Sequence, residues 1–415
     1  MAVLLENGIA FDCFEKSDRV GGHWHTDYES LHLITSRKIS GFAGHPMPEH
    51  YPTYPSRDQM REYLESFADK HSLRDHVHFG AGVTSVRPRG TNDTRRDGSD
   101  GWTVETSDGV TRDYAGVFVC NGHLWDPNRP TYPGEFTGKQ LHSAEYRNIG
   151  DIDGTRVLTI GAGNSGCDLA VDVANARLDS SISVRRGQMF QPKARWGKPR
   201  AEIGWLAKLP LALNERVSRA LVDVVVGPTS AYRGLPEPKT RNLNKQPPVV
   251  NNLLLYWIHH GRITVVPGVT RFEGTTVHFT DGTSREFDTI LWATGFKVTL
   301  PFLDPSLLRW KNGVPVRTAG LTLPVGAENL FFIGLAAPRG PQLPVYSLQA
   351  ALVARMLRLP QDRRAAMAAR FAKIDQGDTR IDIIRKLWMR QMERAGKTLD
   401  ALERSSAMAS VGSGS

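Results

Sequence analysis

One stretch constrains this chain more than any other. Residues 157–186 read VLTIGAGNSGCDLAVDVANARLDSSISVRR. The apolar run Val157 to Ile160 predicts a buried parallel strand. Gly161, Gly163 and Gly166 follow in the spacing G-x-G-x-x-G, then an apolar helix, Cys167 to Ala176, and a second strand, Ile182 to Val184. Each glycine has its own task. The first permits the tight turn, the second lets the backbone approach a pyrophosphate, and the third lets helix pack on strand. The helix N-terminus adds free N–H groups and a partial positive charge where the phosphates would lie. A glycine triplet alone is weak evidence. Between a strand and a helix it predicts a dinucleotide site at Gly161, Gly163, Asn164, Ser165 and Gly166.

The end of the unit selects the dinucleotide. An acidic residue normally closes it by accepting hydrogen bonds from a ribose diol. Here the second strand runs into Arg185 and Arg186. Two guanidinium groups suit a 2′-phosphate, which predicts NADPH rather than NADH. The plain alternative is two surface charges on a basic protein.

With 415 residues, 40% hydrophobic and 23% charged, the chain has room for two or three soluble globular domains. No apolar run is long enough to cross a bilayer. Met1 to Ala10 lacks a basic start and is broken by Glu6, Asn7 and Gly8, so it does not read as a signal peptide. Cys13, Cys120 and Cys167 are far apart and odd in number. That fits a reducing cytoplasm and excludes a disulfide framework or a paired-cysteine redox centre. The net charge of +9 is scattered, with no basic block interleaved with aromatics, so nucleic acid is not an expected partner.

The N-terminus repeats the second half of the opening unit. Met1 to Leu5 reads as a helix end, Asn7-Gly8 as its stop, and Ile9 to Phe14 as a strand closed by Glu15. Glu15 occupies the place of Arg185, and a carboxylate there favours the plain adenosine ribose of FAD. The spacing puts the matching first glycine about nine residues before Met1. The expectation is therefore a first dinucleotide domain without its first strand and glycine loop, through either an upstream start or a truncation. One acid-terminated and one arginine-terminated unit predict two different dinucleotides.

Further along, Gly21 and Gly22 permit close backbone approach to a ligand, and Trp24 offers a flat surface. His23, His25 and His32 lack acidic or cysteine partners at ligand spacing, so no metal is expected. After a proline-rich connector, Pro46 to Pro55, Ser56 caps a helix to His71. Val77 to Pro88, Gly101 to Ser107 and Val110 to Tyr114 predict a small sheet, with a solvent loop from Gly90 to Gly101. Gly116 to Cys120 predicts a buried strand. Phe190 to Trp205 reads as an irregular basic loop. Leu206 to Val226 reads as an amphipathic helix that covers a core rather than docking on a membrane. Gly234 to Asn251 is a proline-punctuated loop before a helix, Leu253 to His260. Ile263 to Val266, Thr275 to Phe279, Thr289 to Trp292 and Leu330 to Ile333 are strand candidates. A helix is expected from about Ser347, its N-terminus suited to a flavin's electron-rich edge. The chain from Pro360 to Arg404 reads as helical.

At Phe136 to Tyr146 the chain reads FTGKQLHSAEY, or F-x-G-x-x-x-H-x-x-x-Y. This resembles the fingerprint of the flavin-containing monooxygenases, the N- and S-oxygenating branch of the class B flavoprotein monooxygenases. The related Baeyer–Villiger enzymes carry tryptophan where this chain has Tyr146. The resemblance extends through FEKSDRVGGHW (14–24), PMPEHYPTYPSRDQMREYL (46–64), GAGNSG, SVRRG (183–187), WATGF (292–296) and NLFFIG (329–334).

The resemblance implies an α/β fold of two Rossmann-like, doubly wound dinucleotide-binding domains, the NADPH domain inserted in a discontinuous FAD domain. The expected boundaries are 1–150 and 296–360 for FAD and 151–295 for NADPH, with a helical segment at 361–404 and a flexible tail at 405–415. NADPH would reduce FAD, O2 would form a C4a-hydroperoxyflavin, and an amine or sulfide would take the distal oxygen. A Baeyer–Villiger ketone oxygenase, or a truncated flavoprotein that binds NADPH but not FAD, are the competing readings. The resemblance assigns Glu15 to the FAD ribose and Gly21, Gly22 and Trp24 to the flavin side. Gln342 and Leu343 would approach the isoalloxazine. Phe136, Gly138, His142 and Tyr146 would form a hinge that senses NADP, with His142 a candidate proton donor. The expected partners are a small nucleophile and O2. The residues do not set the oligomeric state, and a homodimer is compatible with them.

Overall fold

The computed structural model describes residues 1–90, 97–374 and 377–412. The expected solvent loop at 90–101 falls largely outside them. The chain opens with helix α1 (Ala2–Glu6), stopped at Asn7-Gly8 with Gly8 at φ +63°. Strand β1 is only Cys13–Glu15, shorter than the apolar run suggests. Helix α2 (Arg57–Lys70) starts with a reciprocal cap: Gln59 N–H donates to Ser56 Oγ at 3.3 Å, and Ser56 N–H donates to Gln59 Oε1 at 3.0 Å. Such a cap is worth about 1 kcal/mol.

Strand β2 (Val77–Phe79) pairs in parallel with β1 in a two-stranded sheet of its own, and not in the small sheet expected of it. The small sheet is antiparallel and consists of β3 (Val83–Pro88), β4 (Trp102–Thr106) and β5 (Thr111–Tyr114). Trp102 is fully buried beneath it, and its indole N–H donates to the Glu328 carbonyl at 2.9 Å. Strand β6 (Val117–Val119) leaves this sheet and pairs in parallel with a strand more than 200 residues later, described below.

Strands β7 (Lys139–His142) and β8 (Arg156–Ile160) enter the central sheet. Helix α3 (Asn164–Asn175) follows, then β9 (Asp179–Ser183). The basic loop expected at 190–205 is ordered. Phe190–Gln191 forms β10, and Ala194–Arg195 (β11) and Lys198–Pro199 (β12) form a hairpin. Trp196 and Gly197 both take positive φ at its tip, +50° and +73°, as a type I′ turn requires. The single helix expected at 206–226 is two: α4 (Gly204–Lys208) and α5 (Leu211–Val226). Pro210 forces Leu209 into extended backbone, ψ +148°, and ends the first helix there.

Strand β13 (Val249–Val250) pairs with β10, and helix α6 (Leu253–His259) leads to β14 (Ile263–Val266). An antiparallel trio follows: β15 (Val269–Glu273), β16 (Thr276–Phe279) and β17 (Ser284–Glu286). Strand β18 (Thr289–Trp292) completes a five-stranded parallel sheet in the order β14-β9-β8-β18-β7. Helices α3 and α6 cover one face through Cys167, Ala170, Leu254 and Ile258. The antiparallel trio covers the other through Phe272, Val277 and Phe279 against Leu158 and Ile290. Asp288 fastens the sheet's entry: it accepts from the Thr155 and Arg156 N–H groups and pairs with the Arg156 guanidinium. These contacts hold its carboxyl far below the usual range.

Strand β19 (Leu330–Phe332) returns to pair with β6. Helix α7 (Leu343–Leu357) begins four residues earlier than expected, because Pro344 sits in its first turn, where a missing N–H costs nothing. Helices α8 (Gln361–Ile374) and α9 (Arg385–Gly412) pack with α7 around Met356, Phe371 and Leu399. Helix α9 runs through most of the segment expected as a flexible tail. Among the described residues no helix is long and apolar enough to cross a membrane.

Candidate functional site

The turn after β8 divides its work among the three glycines as the spacing predicts. Gly161 has φ +110°, and a Cβ there would lie 2.4 Å from the Ala293 carbonyl oxygen of the strand next door. A Cβ on Gly166 would lie 1.9 Å from the Gly161 carbonyl oxygen, so only glycine lets α3 close on the turn. Gly163, the N-cap of α3, meets nothing within 4 Å. That opening, in front of a helix N-terminus, is the space a pyrophosphate requires. Asn164 Oδ1 accepts from the Val250 N–H at 2.9 Å, which ties β13 to the start of the helix. What Asn164 offers a phosphate is therefore its backbone N–H. Ser165 reaches the Tyr28 hydroxyl.

Arg185 and Arg186 follow the end of β9 and are exposed, and neither forms an ion pair among the described residues. They stand two and three residues beyond the C-terminal end of β9, the strand beside β8. The residues present thus fit NADPH: an open cradle, a helix N-terminus and two uncommitted guanidinium groups.

The flavin-side residues come from both ends of the chain. Glu15, at the end of β1, accepts from the Ser17 N–H at 2.9 Å and the Ser17 hydroxyl at 3.0 Å through one oxygen, Oε1. Gly21 and Gly22 both have positive φ, +118° and +54°, and Gly22 has open space where a side chain would be. Trp24 packs in one cluster with Met60, Tyr63 and Leu343, which joins the first segment to the start of α7. Gln342 donates from Nε2 to the Pro338 and Gly340 carbonyls at 2.9 and 2.7 Å, while its Oε1 is buried without a partner. A buried acceptor left unmatched costs about 1–3 kcal/mol, which a donor on a bound ring would recover. That orphan and the open Gly22 fit a flavin.

The fingerprint residues lie on and around β7, the edge strand of the five-stranded sheet. Phe136 is buried against Phe272. A Cβ on Gly138 would lie 2.4 Å from the Asp288 carbonyl oxygen and 2.7 Å from the Phe136 ring. Tyr146 is fully buried and donates to Asp172 Oδ2 of α3 at 2.8 Å. His142 is fully buried; its Nε2–H donates to the Gly295 carbonyl at 3.0 Å and its Nδ1 accepts from the Ala144 N–H at 3.2 Å. Burial also holds its pKa below the usual value. Both ring nitrogens are committed to backbone partners, which leaves neither free to pass a proton to a ligand in this arrangement. His142 fastens the segment after β18 to β7.

One network escaped the sequence reading. Tyr28 donates to Asp168 Oδ2 at 3.1 Å, and Asn251 Nδ2 donates to Asp168 Oδ1 at 2.7 Å. Burial pushes the Asp168 carboxyl up to about 6, opposed by the charge of Lys193 and these two bonds. Burial in turn lowers the Lys193 ammonium, and Asp168 supports it. Tyr28 and Asn251 lie 140 and 83 positions from Asp168, so no local pattern could announce them. The network joins the first segment to helix α3 beside the glycine turn.

Comparison with known proteins identifies a family for the chain. A family model described as flavin-binding monooxygenase-like matches residues 1–381. The chain is 31% identical to flavin-containing monooxygenase 5 of Rattus norvegicus over 370 residues, 83% of this chain and 68% of that protein. Among solved structures it resembles a flavin-containing monooxygenase from Stenotrophomonas maltophilia, with a TM-score of 0.62, 22% identity, and coverage of 88% of this chain and 94% of that one. It also resembles a variant cyclohexanone monooxygenase from Rhodococcus sp. Phi1 bound to NADP+, with a TM-score of 0.68, 18% identity, and coverage of 98% and 94%. At these identities the two structures share the fold.

Proposed function

The chain belongs to the flavin-binding monooxygenase-like family, a family of FAD-dependent NADPH monooxygenases, and on that premise we propose that it oxygenates a soft nucleophile, an amine nitrogen or a sulfide sulfur. The observation that carries the reading is the glycine cradle, open at Gly163 and followed by the two unpaired arginines. FAD supplies the hydride-accepting and oxygen-activating chemistry when bound. The chain's own residues supply position and exclusion of water. The backbone of Gly161 to Gly166 holds the NADPH pyrophosphate, Arg185 and Arg186 hold its 2′-phosphate, and Glu15 takes the FAD ribose. Trp24, Leu343 and Gln342 border the flavin ring. Tyr146, with its hydroxyl spent on Asp172, fills the position where Baeyer–Villiger enzymes carry tryptophan, and this supports the N- and S-oxygenating branch.

We place the FAD-binding parts at 1–150 and 296–360, the NADPH-binding part at 151–295 and a helical segment after it. The three unpaired cysteines suit a reducing cytoplasm.

The test supplies the purified chain with FAD, NADPH and O2, and either an aryl methyl sulfide or a cyclic ketone. Sulfoxide formed one-for-one with NADPH, and no lactone, is the expected result; lactone without sulfoxide overturns the branch assignment. In the same assay, Arg185→Ala combined with Arg186→Ala should raise the NADPH KM about 100-fold and leave the NADH KM within about threefold, given the usual worth of bonds to charged groups. Equal losses for both cofactors would remove the 2′-phosphate assignment.

A further inference from the structure

The basic hairpin is a built feature that binding of the two dinucleotides does not use. Its sequence, KARWGKPR (193–200), puts a cation at every position that one face of a two-residue hairpin can present. Arg195 pairs with Lys198 across the hairpin, and the Arg200 N–H donates to the Lys193 carbonyl at 3.0 Å. Opposed residues of an antiparallel pair share a face, so Lys193, Arg195, Lys198 and Arg200 do too.

Three of the four are wholly or partly buried, and none of them is ion-paired among the described residues. Arg195 is 3% exposed. Its only side-chain bond is a long one, 3.4 Å, from a terminal nitrogen to Gln191 Oε1. Its Nε has no partner, and neither has the buried Gln191 Nε2 beside it. Lys193 lies 5.6 Å over the ring of Tyr54, whose buried hydroxyl is also unmatched. Arg200 is pushed down to about 10 by burial and by the charges of Arg195 and Arg339. Asp168 faces Lys193 as a partial counter-charge without an ion pair, while Arg195 and Arg200 have no acid paired with them among the described residues. Asp168 is bonded to Tyr28 and Asn251, and Glu202 accepts from the Ser36 hydroxyl. Arg339, on the segment leading to Gln342, is paired with Asp382.

Buried guanidinium groups without a counter-charge, as at Arg195 and Arg200, are costly, and a set of cations with orphaned donors is matched by an anion. The cofactor's phosphates have their own places at the glycine turn and at Arg185 and Arg186. The hairpin instead meets the proline-rich connector at Tyr54, and Arg200 feels the charge of Arg339, three residues before Gln342, on the side proposed to border the flavin ring.

We propose that Lys193, Arg195 and Arg200 bind the carboxylate of the substrate, so that the amine or sulfide oxygenated is that of a carboxylic acid. This rests on the monooxygenase reading above. The overall balance is sulfide, O2, NADPH and a proton giving sulfoxide, NADP+ and water. The carboxylate is unchanged and serves only to place the nucleophile.

The experiment compares 3-(methylthio)propanoate with its methyl ester, using the FAD-loaded chain with NADP+ for calorimetry and with NADPH for turnover. The acid should bind about 10- to 100-fold more tightly than the ester, the usual worth of charge-assisted bonds. Lys193→Gln combined with Arg200→Gln should erase that preference. Equal binding of acid and ester by the unaltered chain overturns the proposal without any variant. So does a variant that keeps the preference but loses NADP+ affinity, because the cations would then serve the cofactor. Selective binding of the acid with neither compound oxygenated would sustain the anion site while overturning the monooxygenase reading.

Discussion

Asp168 stands on the first turns of α3, the helix that follows the glycine turn, and its charge should be measurable as a pH-dependent cost. Its carboxyl is moved from the usual value of 3.8 up to about 6, chiefly by burial. In the unfolded chain it titrates at the usual value. Below that value both states are protonated and the group costs the fold nothing. As pH rises through about 6 the folded state must carry a poorly solvated charge, and stability falls. The interval of roughly two pH units, at about 1.36 kcal/mol each, amounts to about 3 kcal/mol. Asp168→Asn can still accept from Asn251 through its one side-chain oxygen, turns its NH2 toward the Tyr28 hydroxyl oxygen, which can accept, and removes the titration. Urea unfolding followed by tryptophan fluorescence from about pH 4 to pH 8 would read the difference. The variant should gain about 3 kcal/mol relative to the parent across that range, with the change centred between 4 and 6. A difference flat with pH would refute the reasoning, because the carboxyl would then titrate alike in both states.

Two further outcomes follow from the same region. Gly166→Ala forces a methyl to 1.9 Å from the Gly161 carbonyl oxygen and 3.1 Å from the Ala293 Cβ, and the Gly161 backbone cannot yield cheaply. It should displace α3 from the turn and weaken NADP+ binding at least about tenfold by calorimetry, an overpacking cost of about 1–3 kcal/mol. Tyr146→Phe leaves Asp172 without its buried donor and should cost about 1–3 kcal/mol of stability in urea, while the Kd for NADP+ changes less than about twofold. A large loss of NADP+ affinity with intact stability would instead give Tyr146 a direct part in binding.

The glycine unit was legible because its information is local. The strand, the turn, the helix and the two arginines fall within thirty consecutive residues, and each glycine answers a constraint from its immediate neighbours. The capped start of α2 at Ser56 was legible for the same reason. The misread elements each turned on a proline or glycine whose local meaning has two values. Pro210 sits inside an apolar helical pattern and divides it, whereas Pro344 reads as loop and proves to start α7. Trp196-Gly197 looked like one more irregular step in a basic loop, although a residue followed by glycine between flanking strands is a hairpin signal. The network of Asp168, Tyr28 and Asn251 was not legible at all, since it exists only once three distant segments have packed together. His142 was visible as a residue but not in its role, because two backbone partners, not its neighbours in sequence spacing, decide its tautomer.

The strand order of the central sheet also sets a timetable for synthesis. Lys139 of β7 is aligned with Thr289 of β18, and β18 lies between β7 and β8. The fingerprint strand thus leaves the ribosome long before β18, the one strand it pairs with among the described residues. At ordinary elongation rates that interval is on the order of ten seconds. During it, Phe136 and Tyr146 have no finished sheet to be buried against. β6 waits longer still for β19. The nascent chain therefore carries two unfinished strand edges for much of its translation, and slow decoding or early release upstream of Trp292 would leave it prone to aggregate.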